Sequence, residues 1–418
     1  MTETERIVPE LRFKGFIDDW EQRKLGDTFE FSVSTNSLSR AQLNYEKGNI
    51  KSIHYGDILI KYNSILEITK DKIPFITDGS IEKYKPNLLE NGDVVFADAA
   101  EDETVGKAVE INGISDEYVV AGLHTIVARP KEKMAKYFSG YYINADVYQR
   151  QLLRLMQGTK VSSISKGNLK KTIVAYPKNL AEQQKIGSFF KQLDNAIALH
   201  QRQLDNYKVL KKAILQKIFN QELRFKDENG NEYPKWMRRT VNDIGDVVTG
   251  TTPSTKEKTY YNNGIYPWVT PTDIVQKNID STPRKLTEQG LSKGRMLPKN
   301  TILVTCIASI GKNAILKQKG SCNQQINAIV CNNNHNYEFV FYLMEKNTDV
   351  LKSLAGKGTM DIVNKDIFSK MQVTVPCLEE QLIIGKFLSE LDGKIEDEHK
   401  FVNLMKKQKQ GLMQRMFV

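Results

Sequence analysis

The chain has 418 residues, 40% of them apolar, which gives a globular polypeptide room for two to four domains with real cores. Lys and Arg outnumber Asp and Glu by 60 to 50, a net charge of +10 that favours a polyanionic partner without requiring one. Four cysteines (Cys306, Cys322, Cys331, Cys377), none in a CxxC pair, exclude a zinc ribbon and a disulfide framework and fit a reducing cytoplasm.

The first residues lack an apolar core and no apolar run approaches the roughly 18 residues of a membrane span, so a soluble, unexported protein is expected. The motif Glu10-Leu11-Arg12-Phe13-Lys14 follows, with Trp20 close behind. Residues 20–155 read as a mainly β globule closed by a helix. Gly56-Asp57-Ile58-Leu59-Ile60 and Gly92-Asp93-Val94-Val95-Phe96 are short apolar runs led by turn residues, and Tyr118-Val119-Val120 and Thr125-Ile126-Val127 are β-branched. Then come a Gly158-Thr159 step, Lys166, an apolar strand, Pro177 and a long helix over 182–219, with Asn179 as its N-cap and Glu182 as the reciprocal acid of a capping box.

The same order then repeats. Glu222-Leu223-Arg224-Phe225-Lys226 copies the opening motif letter for letter and Trp236 follows it. A second mainly β globule spans residues 236–354, with strands at Thr301-Ile302-Leu303-Val304 and Ala328-Ile329-Val330. Val105-Gly106-Lys107 and Ile310-Gly311-Lys312 correspond weakly between the globules, as do Asp146-Val147 and Asp349-Val350. Gly358-Thr359, Lys365 and Pro376 lead to a second helix over 380–417, where Cys377 makes a poorer cap.

The two helices match at an offset of 198 without insertion or deletion. Their apolar residues alternate four and three apart, as in Ile186, Phe190, Leu193, Ile197 and Leu204, and both seams break at the same places, His200/Glu398 and Lys211/Lys409. Shared breaks suggest copies that pack on each other. At 1.5 Å per residue each helix is about 57 Å long, more than one compact domain buries, so a spacer role is expected. The opening motif follows the first helix directly, whereas its other copy sits at the opposite terminus from the second. The chain is a circular pattern cut open, and the end of the second helix is expected near the start of the first domain, with two half-molecules about a pseudo-two-fold axis. The fold class is α+β: two mainly β domains (1–155 and 222–354) and two helical regions (156–221 and 355–418) whose long helices form an antiparallel coiled coil.

Chemistry is hard to find in this sequence. No two prolines are adjacent, so the Pro-Pro-aromatic loop of an amino-methyltransferase is missing. Gly-Lys at 106–107, 311–312 and 356–357 is never followed by Ser or Thr, which removes the phosphate-loop signature. Glu398-His399-Lys400 is a poor nuclease motif inside a heptad, the run Asp98, Glu101, Asp102, Glu103 reads as a solvated loop, and the five histidines are scattered, with His124 read as structural at a strand start.

Polar and basic loops remain, in both globules. The candidate DNA-contacting residues are Ser34, Asn36, Lys61, Tyr62, Asn63, Lys83 and Lys85 in the first, and Thr251, Thr252, Ser254, Thr270, Thr272, Lys312, Gln324 and Gln325 in the second. Amides and hydroxyls read base edges, while lysines neutralise phosphates.

With the Pro177/Glu182-Gln183/Ile186 and Pro376/Glu380-Gln381/Ile384 patterns, the chain resembles the specificity subunit of type I restriction-modification enzymes over nearly its whole length. Ser52-Ile53-His54-Tyr55-Gly56-Asp57, Gly122-Leu123-His124-Thr125, and Gly250-Thr251-Thr252-Pro253-Ser254 with Trp268-Val269-Thr270 resemble recurring segments of its recognition domains. The resemblance implies a non-catalytic DNA-reading subunit in which each domain binds one half of a split target and the helices fix the gap. It implies two methyltransferase subunits docked on the helices, at Gln183, Ile186, Gln381 and Ile384, two ATP-driven restriction subunits, and S-adenosylmethionine, ATP and Mg²⁺ sites on those partners. Half-site centres about 10 base pairs apart are expected. Two readings compete: a stand-alone two-headed DNA-binding regulator, and a coiled-coil scaffold with lectin-like or protein-binding domains.

Overall fold

In the computed structural model, residues 6–156, 162–355 and 361–418 are described. The chain divides into two units, Met1–Gln201 with Lys400–Val418, and Arg202–His399.

In unit one, β1 (Glu21–Lys24), β2 (Phe29–Glu30), β3 (Ile50–Ile53), α1 (Tyr55–Ile60), β4 (Ile65–Glu67), β5 (Val94–Ala97), β6 (Ala108–Asn112), β7 (Tyr118–Ala121), β8 (Thr125–Pro130), α2 (Phe138–Ile143) and β9 (Ile173–Tyr176) precede the long helix α3 (Leu180–Phe219). The main sheet has the order β2-β8-β5-β6-β4 and is antiparallel except where β4 meets β6. Beside it β7 and β3 pair in parallel. The nearly continuous burial of β5, β6 and β8 explains why their apolar runs do not alternate with polar residues.

Unit two repeats this plan. It contains β10 (Met237–Thr240), β11 (Gly245–Thr249), β12 (Tyr266–Val269), β13 (Asn278–Ile279), β14 (Thr301–Thr305), β15 (Asn313–Leu316), β16 (Ser321–Cys322), β17 (Ile326–Cys331), α4 (Tyr337–Lys346), β18 (Gln372–Val375) and α5 (Leu378–Met416). Its main sheet runs β11-β17-β14-β15-β13, again with one parallel contact at the β13 edge, and β12 pairs in parallel with β16. The Gly-Lys correspondence holds in space, since Gly106 and Gly311 both take left-handed backbone (φ 82° and 90°) on entering equivalent strands. The Gly158-Thr159 and Gly358-Thr359 steps and Gly356-Lys357 lie outside the described residues.

One expected strand is a helix. Gly56-Asp57-Ile58-Leu59-Ile60 belongs to α1, because His54 Nδ1 accepts the Gly56 N–H as a cap and the Asp57 carboxylate is held by Arg40 and Lys61.

At the entrance to the long helices, Asn179 caps α3 by accepting the Ala181 N–H, as expected. The reciprocal acid does not cap. Glu182, 1% exposed, accepts Arg12 Nε at 2.7 Å, Arg12 Nη2 at 2.8 Å and Trp20 Nε1 at 3.3 Å. Glu380 does the same for Arg224 and Trp236 in unit two. The repeated Glu-Leu-Arg-Phe motif is therefore a strap locked to the first turn of each helix by a buried, charge-assisted pair.

The motif also closes each unit. In unit two the Leu223 N–H bonds the Lys217 carbonyl at the end of α3, and in unit one the Leu11 N–H bonds the Arg415 carbonyl at the end of α5. Residues 217 and 415 differ by the 198 of the repeat, so the expected approach of the second helix to the first domain is observed. Phe417 enters the unit-one core between Trp20, Phe138 and Phe190, and Phe219 fills the same place beside Trp236 and Phe339 in unit two.

Within unit one, α3 and α5 run antiparallel: Asp194 receives Lys409 Nζ at 2.5 Å, and the rings of His200 and Phe401 lie 4.7 Å apart. Within unit two, Lys211 meets Asp392 at 2.8 Å. The lysine breaks in the seam are thus ion-paired, each also over a tyrosine ring (Tyr141, Tyr342) whose hydroxyl donates to the same aspartate.

Candidate nucleic-acid interface

In both units, loops gather at the carboxyl ends of the small parallel strand pair. In unit one, the Gly122 N–H bonds the Ile53 carbonyl at the end of β3 and the Asn36 N–H bonds the Ala121 carbonyl at the end of β7. In unit two, the Asn323 N–H bonds the Val269 carbonyl and the Thr251 N–H bonds the Cys322 carbonyl. Three segments thus converge in each: residues 33–37, 54–62 (which carries α1) and 122–124, and residues 250–254, 270–276 and 323–325. A parallel pair sends both strand ends the same way, so the loops that follow them share one edge.

The unit-two loops bring most of the expected residues together. Thr252 Oγ donates to Gln324 Oε1 at 2.7 Å. Thr270 donates its backbone N–H and its hydroxyl to the Asp273 carboxylate, and its Oγ lies 2.9 Å from that of Thr272. Gln325 pairs with Asn323, Thr251 offers its carbonyl to Trp268 Nε1, Ser254 is exposed, and Lys312 is exposed one strand away.

In unit one the expectation needs correction. Tyr62 is 6% exposed, its hydroxyl turned to the Lys72 carbonyl, and burial pushes its pKa up, so it packs the domain and is not an exposed loop residue. Asn36 is half-buried and its amide pins two loops, donating to Ala121 O and Ser52 Oγ. Ser34, Lys61, Asn63, Lys83 and Lys85 are exposed, and Ser34 is tied through its N–H to Asn87, next to Lys85. The four expected docking residues are also interior. Gln183 and Gln381 each donate to a proline carbonyl (Pro177, Pro376) and accept a backbone N–H (Ala135, Asn336), and Ile186 and Ile384 fill the cores.

Several further side chains, outside the expected contacts, stand at this edge. His124 stands where unit two has Gln325: the Asp98 N–H bonds its carbonyl as the Cys306 N–H bonds that of Gln325. Its ring is about half exposed, 3.3 Å from Asp98 and stacked edgewise on Tyr55, so it belongs to the loop edge and not to the core. Arg40 reaches Asp57 bidentately, Arg295 donates to the Thr249 carbonyl, and Arg284 lies over Trp268. Burial raises the Asp57 carboxyl, but the hydrogen bonds from Arg40 and Lys61 outweigh it and hold the group below the usual carboxylate range. Among the described residues no three of His, Cys, Asp and Glu form a metal-ligating group, and no helix is long and apolar enough to cross a membrane.

Comparison with known proteins agrees with this geometry. Residues 17–207 and 233–403 each match the family model for the type I restriction modification DNA specificity domain. The type I restriction enzyme MjaIX specificity subunit of Methanocaldococcus jannaschii is 32% identical over 208 residues, 48% of each chain, so the match spans about half of that relative. The putative MjaX specificity subunit of the same organism is 24% identical over 95% of this chain and 92% of its own. Among solved structures, the type I restriction-modification S subunit from M. genitalium superposes with a TM-score of 0.62 at 16% identity, covering 98% of this chain and 99% of that one.

Proposed function

The chain belongs to the type I restriction-modification DNA specificity family, and on that premise we propose that each unit reads one half of a divided DNA target at its converging loops. Sequence recognition of DNA is its function, and the family role is that of a recognition subunit without catalytic work of its own. The observation that carries the two-half reading is the repeated loop edge: the same backbone bonds place polar side chains at the same end of the same strand pair in both units. Amides and hydroxyls on such an edge discriminate bases, and the surrounding cations hold the backbone.

The finer assignments extend this reading. The recognition domains are residues 1–155 and 222–354, the helical regions 156–221 and 355–418, and the helices set the gap between half-sites. Two methyltransferase subunits carry S-adenosylmethionine to an adenine in each half, and two restriction subunits supply ATP-driven translocation and Mg²⁺-dependent cleavage, in the cytoplasm. With Gln183, Ile186, Gln381 and Ile384 buried, docking falls to outward helix positions such as Leu199, Val209 and Leu404, which are 61%, 69% and 52% exposed.

A genome-wide map of methylated adenines with and without this gene tests the reading. A two-part motif that disappears with the gene supports it. An unchanged map, with the methyltransferase gene intact, overturns it.

A further inference from the structure

Around Tyr45 in unit one, three cations converge on a single ring. Lys61 Nζ lies 4.9 Å from its centroid, Lys72 Nζ 5.2 Å and Arg40 Cζ 5.8 Å, and Lys61 also donates to the Tyr45 hydroxyl at 2.7 Å. Beneath them sits one carboxylate, Asp57, its side chain 1% exposed. It accepts both Arg40 Nη atoms at 2.5 Å and Lys61 Nζ at 2.8 Å, while the Arg40 and Lys61 side chains are each 46% exposed. The Asp71 carboxylate, beside Lys72 in the chain, is turned to the Glu67 N–H at 2.7 Å.

This arrangement differs from an ordinary surface ion pair. Three like charges at one ring repel, and the one buried acid paired with them carries a single negative charge. Arg40 commits two of its five N–H groups to Asp57 and Lys61 commits two of its three to Asp57 and Tyr45, so both retain donors. Asp57 and the ring fix side chains that would otherwise be mobile, lowering the entropy lost on meeting an anion. In unit two the equivalent turn acid, Asp273, is committed to Thr270.

We propose that Arg40, Lys61 and Lys72, gathered round Tyr45 and oriented by Asp57, form the clamp through which unit one grips backbone phosphates of duplex DNA. This rests on the DNA-recognition reading above and deepens it: the three cations give unit one its grip on the duplex, and the adjoining loops give it sequence. Asp57 is a positioning residue that acts through Arg40 and Lys61. The two units are therefore unequal, with unit one carrying this preformed cationic clamp.

The test uses the full chain in complex with its methyltransferase partner. Its affinity for a target duplex and for an unrelated duplex is measured over a range of salt. Lys72→Ala and Lys61→Ala should each weaken binding to both duplexes alike, several-fold at low salt, and lower the log–log salt slope by about 1. Asp57→Asn adds positive charge to the chain, yet should also weaken binding, because the cations lose their anchor. The methylated motif should be unchanged in the lysine variants, since phosphate contacts carry no sequence information. Slopes equal to wild type in both lysine variants overturn the clamp while leaving DNA recognition standing, and so does a changed motif, which would place these residues on bases. A wild-type complex that binds no DNA overturns the parent reading and the clamp with it. Lys72 is exposed and its side chain hydrogen-bonds no core group among the described residues, so its variant reads binding free of folding.

Discussion

Glu380 shows how much of each unit hangs on one buried carboxylate. It is fully buried, paired with Arg224 at 2.6 Å and with Trp236 Nε1 at 3.1 Å. Arg224→Ala would leave that charge uncompensated, so a loss of about 3 kcal/mol is expected, read by urea unfolding through tryptophan fluorescence. Glu110 is a second buried acid with a different fate. It is 1% exposed, accepts the N–H groups of Tyr137 and Gly140 at the start of α2, and forms no ion pair among the described residues, and burial raises its pKa despite those bonds. A carboxyl whose folded pKa lies above its unfolded value of about 4.3 contributes stability that is complete below that pH and fades as pH rises through the folded pKa. Glu110→Gln should abolish this fall, and unfolding midpoints compared between pH 4 and pH 8 will show it. None of this was legible in the sequence. Glu182 looked like half of a capping box because its spacing from Asn179 is right, but spacing cannot reveal Arg12, 170 residues away, as the stronger partner. Tyr62 and Gln183 read as surface residues because polar atoms suggest exposure, whereas each is buried with its hydrogen bonds met.

At the scale of elements, the glycines of the long helices separate packing from propensity. Gly187 and Gly385 have close neighbours: a Cβ on Gly187 would lie 2.5 Å from the Lys136 backbone carbonyl, and one on Gly385 would lie 2.7 Å from the side-chain Oδ1 of Asn336. A Cβ on Gly393 would meet nothing within 4 Å. Gly393→Ala should therefore stabilise α5 by about 1 kcal/mol, the helix-propensity difference. Gly187→Ala should destabilise by at least 1 kcal/mol in spite of the same propensity gain, and thermal unfolding of the two variants should move in opposite directions. The long helices were legible because heptad spacing is local and repeated. The short helix α1 was not. Its run over residues 56–60 is apolar enough for a buried strand, and what makes it helical is a cap from His54 and an ion pair from Arg40, 17 residues before Asp57. The loop edge was legible only as composition: the sequence supplied Thr252 and Gln324, and the bond from the Thr251 N–H to the Cys322 carbonyl brought them together.

For the whole molecule, the 198-residue repeat has a testable metric consequence. Each long helix is divided between the units, α3 after Gln201 and α5 after His399. Seven residues inserted into α3 at that point add two turns, about 10.5 Å, with a rotational error of only about 20°. Seven inserted into α5 at the matching level keep the pairs Lys409–Asp194 and Lys211–Asp392 in register within their units. Inserted into one helix alone, they would leave the partner helix too short to follow, and both ion pairs could not be kept. If the helices set the gap between half-sites, the double insertion should lengthen the unspecified spacer by about three base pairs at 3.4 Å each, with both half-site sequences unchanged, while either single insertion should abolish methylation. A methylation map of the three variants decides the matter. A spacer of unaltered length in the double variant would mean that the rods do not measure the target, and altered half-sites would mean that the reading loops depend on helix length.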